Sequence, residues 1–431
     1  MRSIGKQLGF AGWYGVFMRL EVLGGGREVG RSALSIRERD TNIIMDYGTK
    51  LETVPPQFPL WTKDVSAAII SHAHLDHSGG LPILYRDEKP PLFTNDVTLE
   101  AIALLIKDSM KIARKEKYLL PYSRNDAKRM VKSAKLMTYQ ETFKVDGFSC
   151  SLHDSGHIPG SAGILLSKNG KSVFYTSDIK LEPTRLLGGC KLPDHADVLI
   201  TESTYSGREH PNREAEEKRF ISSIEEALAL DETALVPVFA IGRAQEVLLI
   251  LEKYTKKIAL DGMAKAASEI ILDYKYHLRD PKRLKRVLNK VKWIRTDAER
   301  ERAIKKYPII VTTAAMMAGG PVLYYLRHLS RKPEAKVLFT GYLVEDSPAR
   351  GLIDTGVFQS VEEKYHVHCD IRQFDLSSHA GSNELMEIIK RLGPKQVICV
   401  HGDDCEKFAK SVEEKFNVPA IAPKNGDVLE I

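Results

Sequence analysis

A dense run of metal-ligand side chains, SHAHLDHSGG at residues 71–80, constrains this chain more than any other feature. Four imidazole or carboxylate groups lie within six residues, directly after an apolar strand-like segment. A strand end that passes into a loop sends alternate side chains to one side, so His72 and His74 are spaced to share one ion. Asp76 and His77 are adjacent and can reach a second ion. These ligands suit Zn²⁺, which favours a zinc site over a chance histidine-rich turn.

The bulk properties set the number of domains and exclude a membrane span. The chain has 431 residues, which suits two or three domains rather than one core. Hydrophobic residues make up 43% of it, yet no apolar run is long enough to cross a bilayer. The net charge of +6 permits a nucleic-acid partner without requiring one. Residues 1–17 do not resemble a signal peptide, and we expect an N-terminal extension, either native or an artefact upstream of a start at Met18.

The cysteines indicate a reducing compartment. They form no CxxC pair and their number is odd, which disfavours both a disulfide framework and a structural zinc knuckle. We therefore expect a cytoplasmic protein. The five are Cys150, Cys190, Cys369, Cys399 and Cys405.

The pattern of predicted elements changes twice along the chain. Short β-branched or aromatic segments predict strands at first, with helical stretches at Val97–Lys117 and Asn125–Leu136. From residue 208 to about 356, helical segments alternate with apolar strands, as in a parallel sheet built from βαβ units. Short strand and helix patterns then resume. The simplest account is one α/β domain, residues 18–207 and 357–431, interrupted by a second α/β domain, residues 208–356.

The HxHxDH run resembles the signature of the metallo-β-lactamase fold, and further members of that ligand set follow in the expected order. Asp46 closes an early apolar strand, His157 lies in a later turn, and Asp178 ends a strand beyond it. The resemblance implies an αββα sandwich and two Zn²⁺ ions per chain.

Other motifs resemble those of the β-CASP branch, in which a parallel-sheet domain is inserted and the members process nucleic acids. They are TEST with Glu202, DLSSHAG with His379 and VICVHGD with His401. A histidine in the last motif is associated in this family with RNA rather than DNA. Longer matches point to archaeal relatives of the endonuclease subunit of the cleavage and polyadenylation specificity factor, CPSF. We expect no N-terminal KH domains of the kind that longer members carry, so sequence specificity stays unassigned.

The resemblance also implies roles for these residues. The metal ligands would be His72, His74 and His157 for one ion, Asp76, His77 and His401 for the other, and Asp178 as the bridge. The catalytic residues would be Asp76, Asp46, Glu202 and His379. Asp46 would orient the signature loop, and Glu202 would orient His379, which protonates the leaving 3′-oxygen while zinc activates a water.

Several of these side chains also have ordinary structural interpretations. His379 lies where a helix begins, and Glu202 could cap a turn. His366 and His368 form an HxH without partners at matching spacing, so we interpret them as strand residues. We interpret the remaining histidines as structural, namely His153, His195, His210, His277 and His328.

Candidate phosphate contacts are less specific. The glycine-rich segment 314–321 could offer backbone N–H groups to a phosphate or form an ordinary turn. Arg243 and Arg350 lie in family-like motifs and are candidates for phosphate binding. The basic segment 281–292 is more simply an amphipathic helix with a solvated face than an RNA groove.

Together these features predict a zinc-dependent ribonuclease that hydrolyses single-stranded RNA and leaves 5′-phosphate and 3′-hydroxyl ends. We expect endonucleolytic cleavage in RNA processing, 3′-end formation or decay, and a 5′-to-3′ exoribonuclease is the alternative. The β-CASP motifs, the complete ligand set and His401 disfavour a small-molecule hydrolase, a scaffold subunit and a DNA-acting enzyme, respectively. A homodimer and RNA-processing protein partners are compatible with the resemblance, and we expect no membrane partner.

Overall fold

The computed structural model describes residues 18–51, 53–360 and 362–431. The predicted N-terminal extension, residues 1–17, lies outside the described residues. Within those described ranges, no helix combines the length and apolar character that crossing a bilayer requires.

The elements before residue 208 are mostly short strands. The strands are β1 (Arg19–Gly24), β2 (Ala33–Glu38), β3 (Thr41–Met45), β4 (Ala67–Ile69), β5 (Leu92–Thr94), β6 (Ala134–Leu136), β7 (Phe143–Val145), β8 (Phe148–Asp154), β9 (Ala162–Lys168), β10 (Lys171–Tyr175) and β11 (Val198–Glu202). The helices are α1 (Leu75–Ser78), α2 (Asp96–Lys115) and α3 (Arg124–Lys132), with a 3₁₀ helix at Leu81–Tyr85.

Helices and strands alternate in the next part of the chain. Its elements are α4 (Arg213–Ala229), β12 (Ala234–Pro237), α5 (Arg243–Ile250), β13 (Ile258–Asp261), α6 (Ala264–Asp273), α7 (Pro281–Leu288), β14 (Lys292–Trp293), α8 (Asp297–Lys306), β15 (Ile309–Thr312), α9 (Pro321–Leu329), β16 (Lys336–Phe339) and α10 (Pro348–Thr355), with 3₁₀ helices at Glu252–Lys257 and Lys275–His277. The last elements are β17 (Val357–Gln359), β18 (Lys364–His366), β19 (Asp370–Gln373), α11 (Ser382–Leu392), β20 (Gln396–Val400), α12 (Cys405–Phe416), β21 (Ala420–Ile421) and β22 (Val428–Glu430).

Two seven-stranded sheets form a sandwich, with strand orders β22-β1-β2-β3-β4-β5-β6 and β21-β20-β11-β10-β9-β8-β7. Alternate residues of the two sheets meet in one core, for example Ile43 and Met45 of β3 with Ile164 and Leu166 of β9. The intervening residues face outward and are also buried. Because both faces of each sheet are buried, the strand sequences are nearly continuous apolar runs.

Helices cover the outer faces of the sandwich and complete an αββα arrangement. Helix α2 packs on the first sheet through Val97 and Ala101. Helices α11 and α12 pack on the second sheet, with Ile388 and Phe408 in the same cluster as Leu199 of β11. The predicted layer architecture is confirmed in its general form.

The inserted part is a six-stranded sheet in the order β14-β13-β15-β12-β16-β19, and all of its strand pairs are parallel. One face is covered by α4 to α7 and the other by α9 and α10. This is the βαβ arrangement that the alternating pattern predicts.

The inserted sheet continues beyond the predicted boundary at residue 356. Strand β19 pairs in parallel with β16, from Lys336 opposite Asp370 to Phe339 opposite Gln373. Residues 370–373 therefore belong to the inserted sheet, although we assigned them to the second part of the sandwich domain. The chain re-enters the sandwich sheet at β20, which pairs with β11.

Candidate active site

The signature loop leaves β4 in a buried, tightly held conformation. The loop passes through His72 and His74 before α1, and the backbone of Thr49 donates to the Leu75 carbonyl oxygen at 2.8 Å. Gly48 lies directly against the loop: a Cβ built there would be 1.7 Å from the carbonyl oxygen of Asp76. Only glycine permits the two backbone segments to approach this closely.

Asp46 is fully buried at the end of β3, in a left-handed conformation with φ of 59°. Its Oδ1 accepts a hydrogen bond from the Ser71 backbone at 2.8 Å, and its Oδ2 accepts one from Ser71 Oγ at 2.8 Å. Oδ2 also lies 2.7 Å from Nδ1 of His77. Because this nitrogen must carry the proton, Nε2 of His77 remains available to bind a metal.

The first group of ligand atoms comes from three loops and is formed by His72, His74, His157 and Asp178, whose donor atoms all lie within 4.8 Å of one another. Nε2 of His157 is 3.1 Å from Nδ1 of His74 and 3.4 Å from Oδ2 of Asp178. Nε2 of His72 is 3.5 Å from the same carboxylate oxygen. The structure thus brings together the residues predicted for the first metal.

The loop that carries His157 is anchored to the start of α2. The Asn95 side chain caps that helix by accepting from the backbone of Thr98, and its amide donates to the carbonyl oxygen of Gly160. Thr98 Oγ1 donates to the same oxygen at 3.0 Å. Gly160 has φ of +84° and lies too close to Val97 to carry a Cβ. The His157 turn is therefore held by the helix that covers the first sheet.

The second group of ligand atoms is formed by Asp76, His77 and His401. Nε2 of His401 lies 3.3 Å from Oδ2 of Asp76, and Nε2 of His77 lies 3.7 Å from it. His401 follows β20 with φ of 52°, and Thr204 Oγ1 lies 3.1 Å from its Nδ1. Since β11 and β20 are parallel neighbours, their carboxyl ends bring Thr204 and His401 to one edge.

Asp178 lies between the two groups with one oxygen toward each. Oδ2 faces His72 and His157, whereas Oδ1 lies 3.2 Å from Nε2 of His77 and 3.5 Å from Nδ1 of His401. A carboxylate has two oxygens and can be shared by two ions.

Unpaired polar atoms show that these residues fit metal cations. Four buried atoms of the cluster make no hydrogen bond of acceptable geometry among the described residues, namely Nε2 of His72, His74 and His77 and Oδ1 of Asp178, although the last two face each other at 3.2 Å. Buried polar groups are normally paired, so their convergence calls for a ligand. Burial lowers the pKa of His72 and of His157 well below the usual histidine value. Both imidazoles are therefore neutral, which is the form that coordinates a metal.

His379 lies beside the metal ligands in the segment between β19 and α11. Its Nδ1 donates to Oε2 of Glu202 at 2.9 Å, and its Nε2 lies 3.9 Å from Oδ2 of Asp178. The other oxygen of Glu202 accepts from the backbone of Ile179 at 2.7 Å. Burial disfavours the charged imidazole, but the carboxylates of Glu202 and Asp178 outweigh it and raise the pKa of His379 to about 9.

His210, which we interpreted from the sequence as a structural residue, holds the segment that carries His379. His210 contacts Asp375 through Nδ1 at 2.9 Å and donates from Nε2 to the carbonyl oxygen of His379 at 3.0 Å. The Tyr205 ring packs against the imidazoles of His210 and His379, at centroid distances of 4.6 Å and 5.8 Å, respectively. No spacing rule indicates these contacts, because they join residues far apart in the sequence.

The other histidines lie outside the metal-ligand groups of the described residues. His366 ends β18, and His368 donates its backbone N–H to Ser330. His153 contacts Ser151, His195 contacts the Leu392 carbonyl oxygen, and His328 contacts that of Tyr324. Arg350 forms an ion pair with Asp354 on α10, so its guanidinium already has a carboxylate partner.

Three family models match successive parts of the chain. Residues 25–206 match the Anti-Pycsar protein Apyc1, residues 244–352 match the Beta-Casp domain, and residues 364–423 match the Zn-dependent metallo-hydrolase RNA specificity domain. A crystal structure of a protein of unknown function from Enterococcus faecalis V583 has a TM-score of 0.57 at 15% identity, covering 96% of this chain and 100% of that chain. This likeness shows a shared fold.

Curated relatives match nearly the whole chain. It is 40% identical to Probable RNase MJ4 of Methanocaldococcus jannaschii, covering 96% of this chain and 100% of the relative. It is 34% identical to RNase aCSPSF2 of Saccharolobus solfataricus, covering 96% and 85%, and 31% identical to transcription termination factor FttA of M. jannaschii, covering 96% and 72%. The chain therefore belongs to the metallo-β-lactamase family with an inserted β-CASP domain, in the archaeal CPSF-like branch that contains these relatives.

Proposed function

We propose that this protein is a zinc-dependent ribonuclease that hydrolyses phosphodiester bonds of single-stranded RNA. One observation carries the proposal: Asp178 belongs to one group of metal-ligand atoms, its Oδ1 lies 3.2 Å from His77 and 3.5 Å from His401 of the other, and His379, a histidine with a raised pKa, lies 3.9 Å from the same carboxylate. The ligands form a site for phosphoryl chemistry, and His379 adds a proton donor at its edge.

Zinc is the cation that this donor set favours. Imidazole nitrogens and carboxylate oxygens converge with no thiolate among them, as in catalytic zinc sites. His72, His74, His157 and Asp178 would hold one ion, and Asp76, His77, His401 and Asp178 the other. Zinc in these positions would supply Lewis-acid activation of water and of the phosphoryl group.

The protein side chains would orient the reactants and move the proton. Asp46 fixes the signature loop and the tautomer of His77. Glu202 holds His379 so that its Nε2 faces the metal cluster, and this nitrogen delivers a proton to the departing 3′-oxygen. Both oxygens of Glu202 are engaged, one by His379 and one by Ile179, which favours an orienting role over metal binding. The products carry 5′-phosphate and 3′-hydroxyl ends.

Three observations support RNA as the substrate. The relatives MJ4 and aCSPSF2 are named as RNases, and residues 364–423 match a model described as an RNA specificity domain. His401 occupies the position at which this family associates histidine with RNA.

The five cysteines are free thiols, which accords with action in a cytoplasm.

The proposal is tested by incubating the zinc-loaded protein with an internally labelled single-stranded RNA and with DNA of the same sequence. Internal fragments with 5′-phosphate ends from RNA alone are the expected result. Release of mononucleotides that depends on a 5′-monophosphate would replace endonuclease with 5′-to-3′ exonuclease. Absence of RNA cleavage from fully zinc-loaded protein would refute the claim of a self-sufficient ribonuclease. Size-exclusion chromatography of the same preparation tests the homodimer.

A further inference from the structure

Arg243 is a buried cation without a direct ion pair among the described residues, and the carboxylates of Glu246 and Asp375 favour its charge only from a distance. It is the first residue of α5, and although the residue keeps some exposure, its Nε and Nη1 atoms are buried and have no hydrogen-bond partner in the described structure. Its Nη2 is 3.5 Å from Ser378 Oγ, at the limit of a hydrogen bond. Burial and the neighbouring Arg213 lower the pKa of Arg243 to about 10, so the guanidinium stays charged at neutral pH.

The carboxylate nearest in sequence, Glu246, favours the charge of Arg243 but forms no ion pair with it. Oε1 of Glu246 accepts from Arg213 at 2.6 Å and from the Arg185 backbone at 3.1 Å, and Oε2 accepts from the Leu186 backbone at 2.8 Å. Both oxygens of this carboxylate are therefore already engaged. An arginine that builds a protein core normally forms a bidentate pair with a carboxylate, which is absent here.

The unpaired guanidinium lies beside the candidate active site. Ser378, which it approaches, directly precedes His379 and accepts from Nδ1 of His157 through its carbonyl oxygen at 2.9 Å. Arg243 also lines a small cleft with Phe239, whose ring centroid is 6.1 Å from that of the metal-ligand residue His74. Phe239 therefore borders both this cleft and the candidate metal ligand His74.

We propose that Arg243 binds a backbone phosphate of the RNA substrate next to the scissile bond, an inference that rests on the proposed ribonuclease function. A phosphate offers the two oxygens that a guanidinium fork requires. The anion would complete the pairing of a cation that the folded chain leaves unsatisfied. Because Arg243 lies on the same side of the candidate metal centre as His379, this contact would hold the RNA segment whose 3′-oxygen is the leaving group.

The test compares Asp76→Ala with Asp76→Ala/Arg243→Met, both slow to cleave, in equilibrium binding to a fluorescent single-stranded RNA across a salt series. Loss of one charged contact is expected to weaken binding about tenfold or more. The slope of log affinity against log salt should become shallower by about 0.7. Arg243→Lys in the same background keeps the charge and should restore the slope but only part of the affinity. Arg391→Met, an exposed arginine paired with Glu387 on α11, is the control and should change neither quantity.

Thermal unfolding separates this role from a structural one. Because Arg243 is buried without a direct ion pair, Arg243→Met should leave the melting temperature unchanged or raise it by a few degrees. Unchanged affinity and slope, or a lower melting temperature with an unchanged slope, would overturn the assignment. If wild type fails to cleave RNA while RNA binding still depends on Arg243, the ribonuclease proposal fails and the phosphate site stands.

Discussion

Two imidazoles at this site, those of His77 and His157, have their second nitrogen fixed by different neighbours. Nδ1 of His77 contacts Asp46, and Nδ1 of His157 donates to the carbonyl oxygen of Ser378. The latter contact joins a candidate metal ligand to the segment that carries His379. Fixing one nitrogen of a ring determines which nitrogen can reach a metal.

The carboxylate of Glu202 raises the pKa of His379, and if His379 is the general acid that we propose, this pKa sets the alkaline limit of activity. A general acid must be protonated, so turnover falls as pH rises through its pKa. Glu202→Gln removes the carboxylate that raises this pKa against the effect of burial. The alkaline limb of the kcat–pH profile should therefore move to lower pH by about one unit or more, with zinc content unchanged. If the alkaline limb of the kcat–pH profile does not move, His379 is not the titrating group. The control is Glu225→Gln, on the exposed face of α4.

The sequence predicts the metal ligands better than the residues around them. Histidine and aspartate at fixed spacings already identify His72, His74, Asp76 and His77 as candidates. The contacts of His210 and the unpaired state of Arg243 depend on segments brought together only by folding. No local pattern reports such long-range contacts.

At the scale of elements, Gly48 determines whether the signature loop can lie against β3. A Cβ at this position would meet the Asp76 carbonyl oxygen at 1.7 Å, a distance that forces one backbone to move. Gly48→Ala should lower the zinc content, abolish turnover and destabilise the protein by about 2–4 kcal/mol. The measurements are zinc per chain and urea unfolding. Gly188→Ala, where nothing lies within 4 Å of the added Cβ, should behave as wild type; equal zinc content in the two variants would contradict this account.

The end of β8 carries a carboxylate whose burial makes stability pH-dependent. Burial raises the pKa of Asp154 to about 6, above the value of 3.8 for an unshifted Asp. The folded state thus binds the proton more tightly, and this contribution is lost as pH rises through 6. Asp154→Asn should gain about 1 kcal/mol relative to wild type between pH 5 and pH 7.5. Urea unfolding at both pH values measures this, and a constant difference would disprove the assignment.

Element types were easier to predict than element ends. The stretch Asn125–Leu136 was predicted to be one helix, but α3 ends at Lys132 and the chain then forms β6, which pairs in parallel with β5. Likewise β19 joins the inserted sheet through pairing with β16. In both cases a neighbouring strand that is distant in sequence decides the outcome, and residue propensities do not contain that information.

At the scale of the whole molecule, the insert is tied to the sandwich by more than the active site. Tyr274 and Tyr276 donate to Glu100 and Asp96 at the start of α2, and Nε2 of His277 lies 3.2 Å from Asp96. Buried residues of α2 and of α5 to α7 also belong to one apolar cluster. The candidate metal ligands from both parts of the sandwich domain are thus held in a continuous framework.

Removal of metal should destabilise this framework. Without cations the buried ligand atoms of the cluster remain unpaired. The ions bind only the folded chain, because the unfolded chain does not bring these ligand atoms together. At a zinc concentration about 100 times the dissociation constant, each ion adds about 2.7 kcal/mol. Chelation should lower the melting temperature by about 5–10 °C, and restored zinc should reverse the change in a thermal scan. An unchanged melting temperature after verified metal removal would contradict a buried metal centre.

The most direct test of the central claim is the zinc content of wild type, Asp76→Ala and His379→Ala, measured on the same preparations used for RNA cleavage. We expect about two zinc ions per chain in wild type and in His379→Ala. We expect about one ion in Asp76→Ala and cleavage by wild type alone. Loss of zinc from His379→Ala, or full cleavage by it, would contradict the division between metal ligands and proton donor on which the account rests.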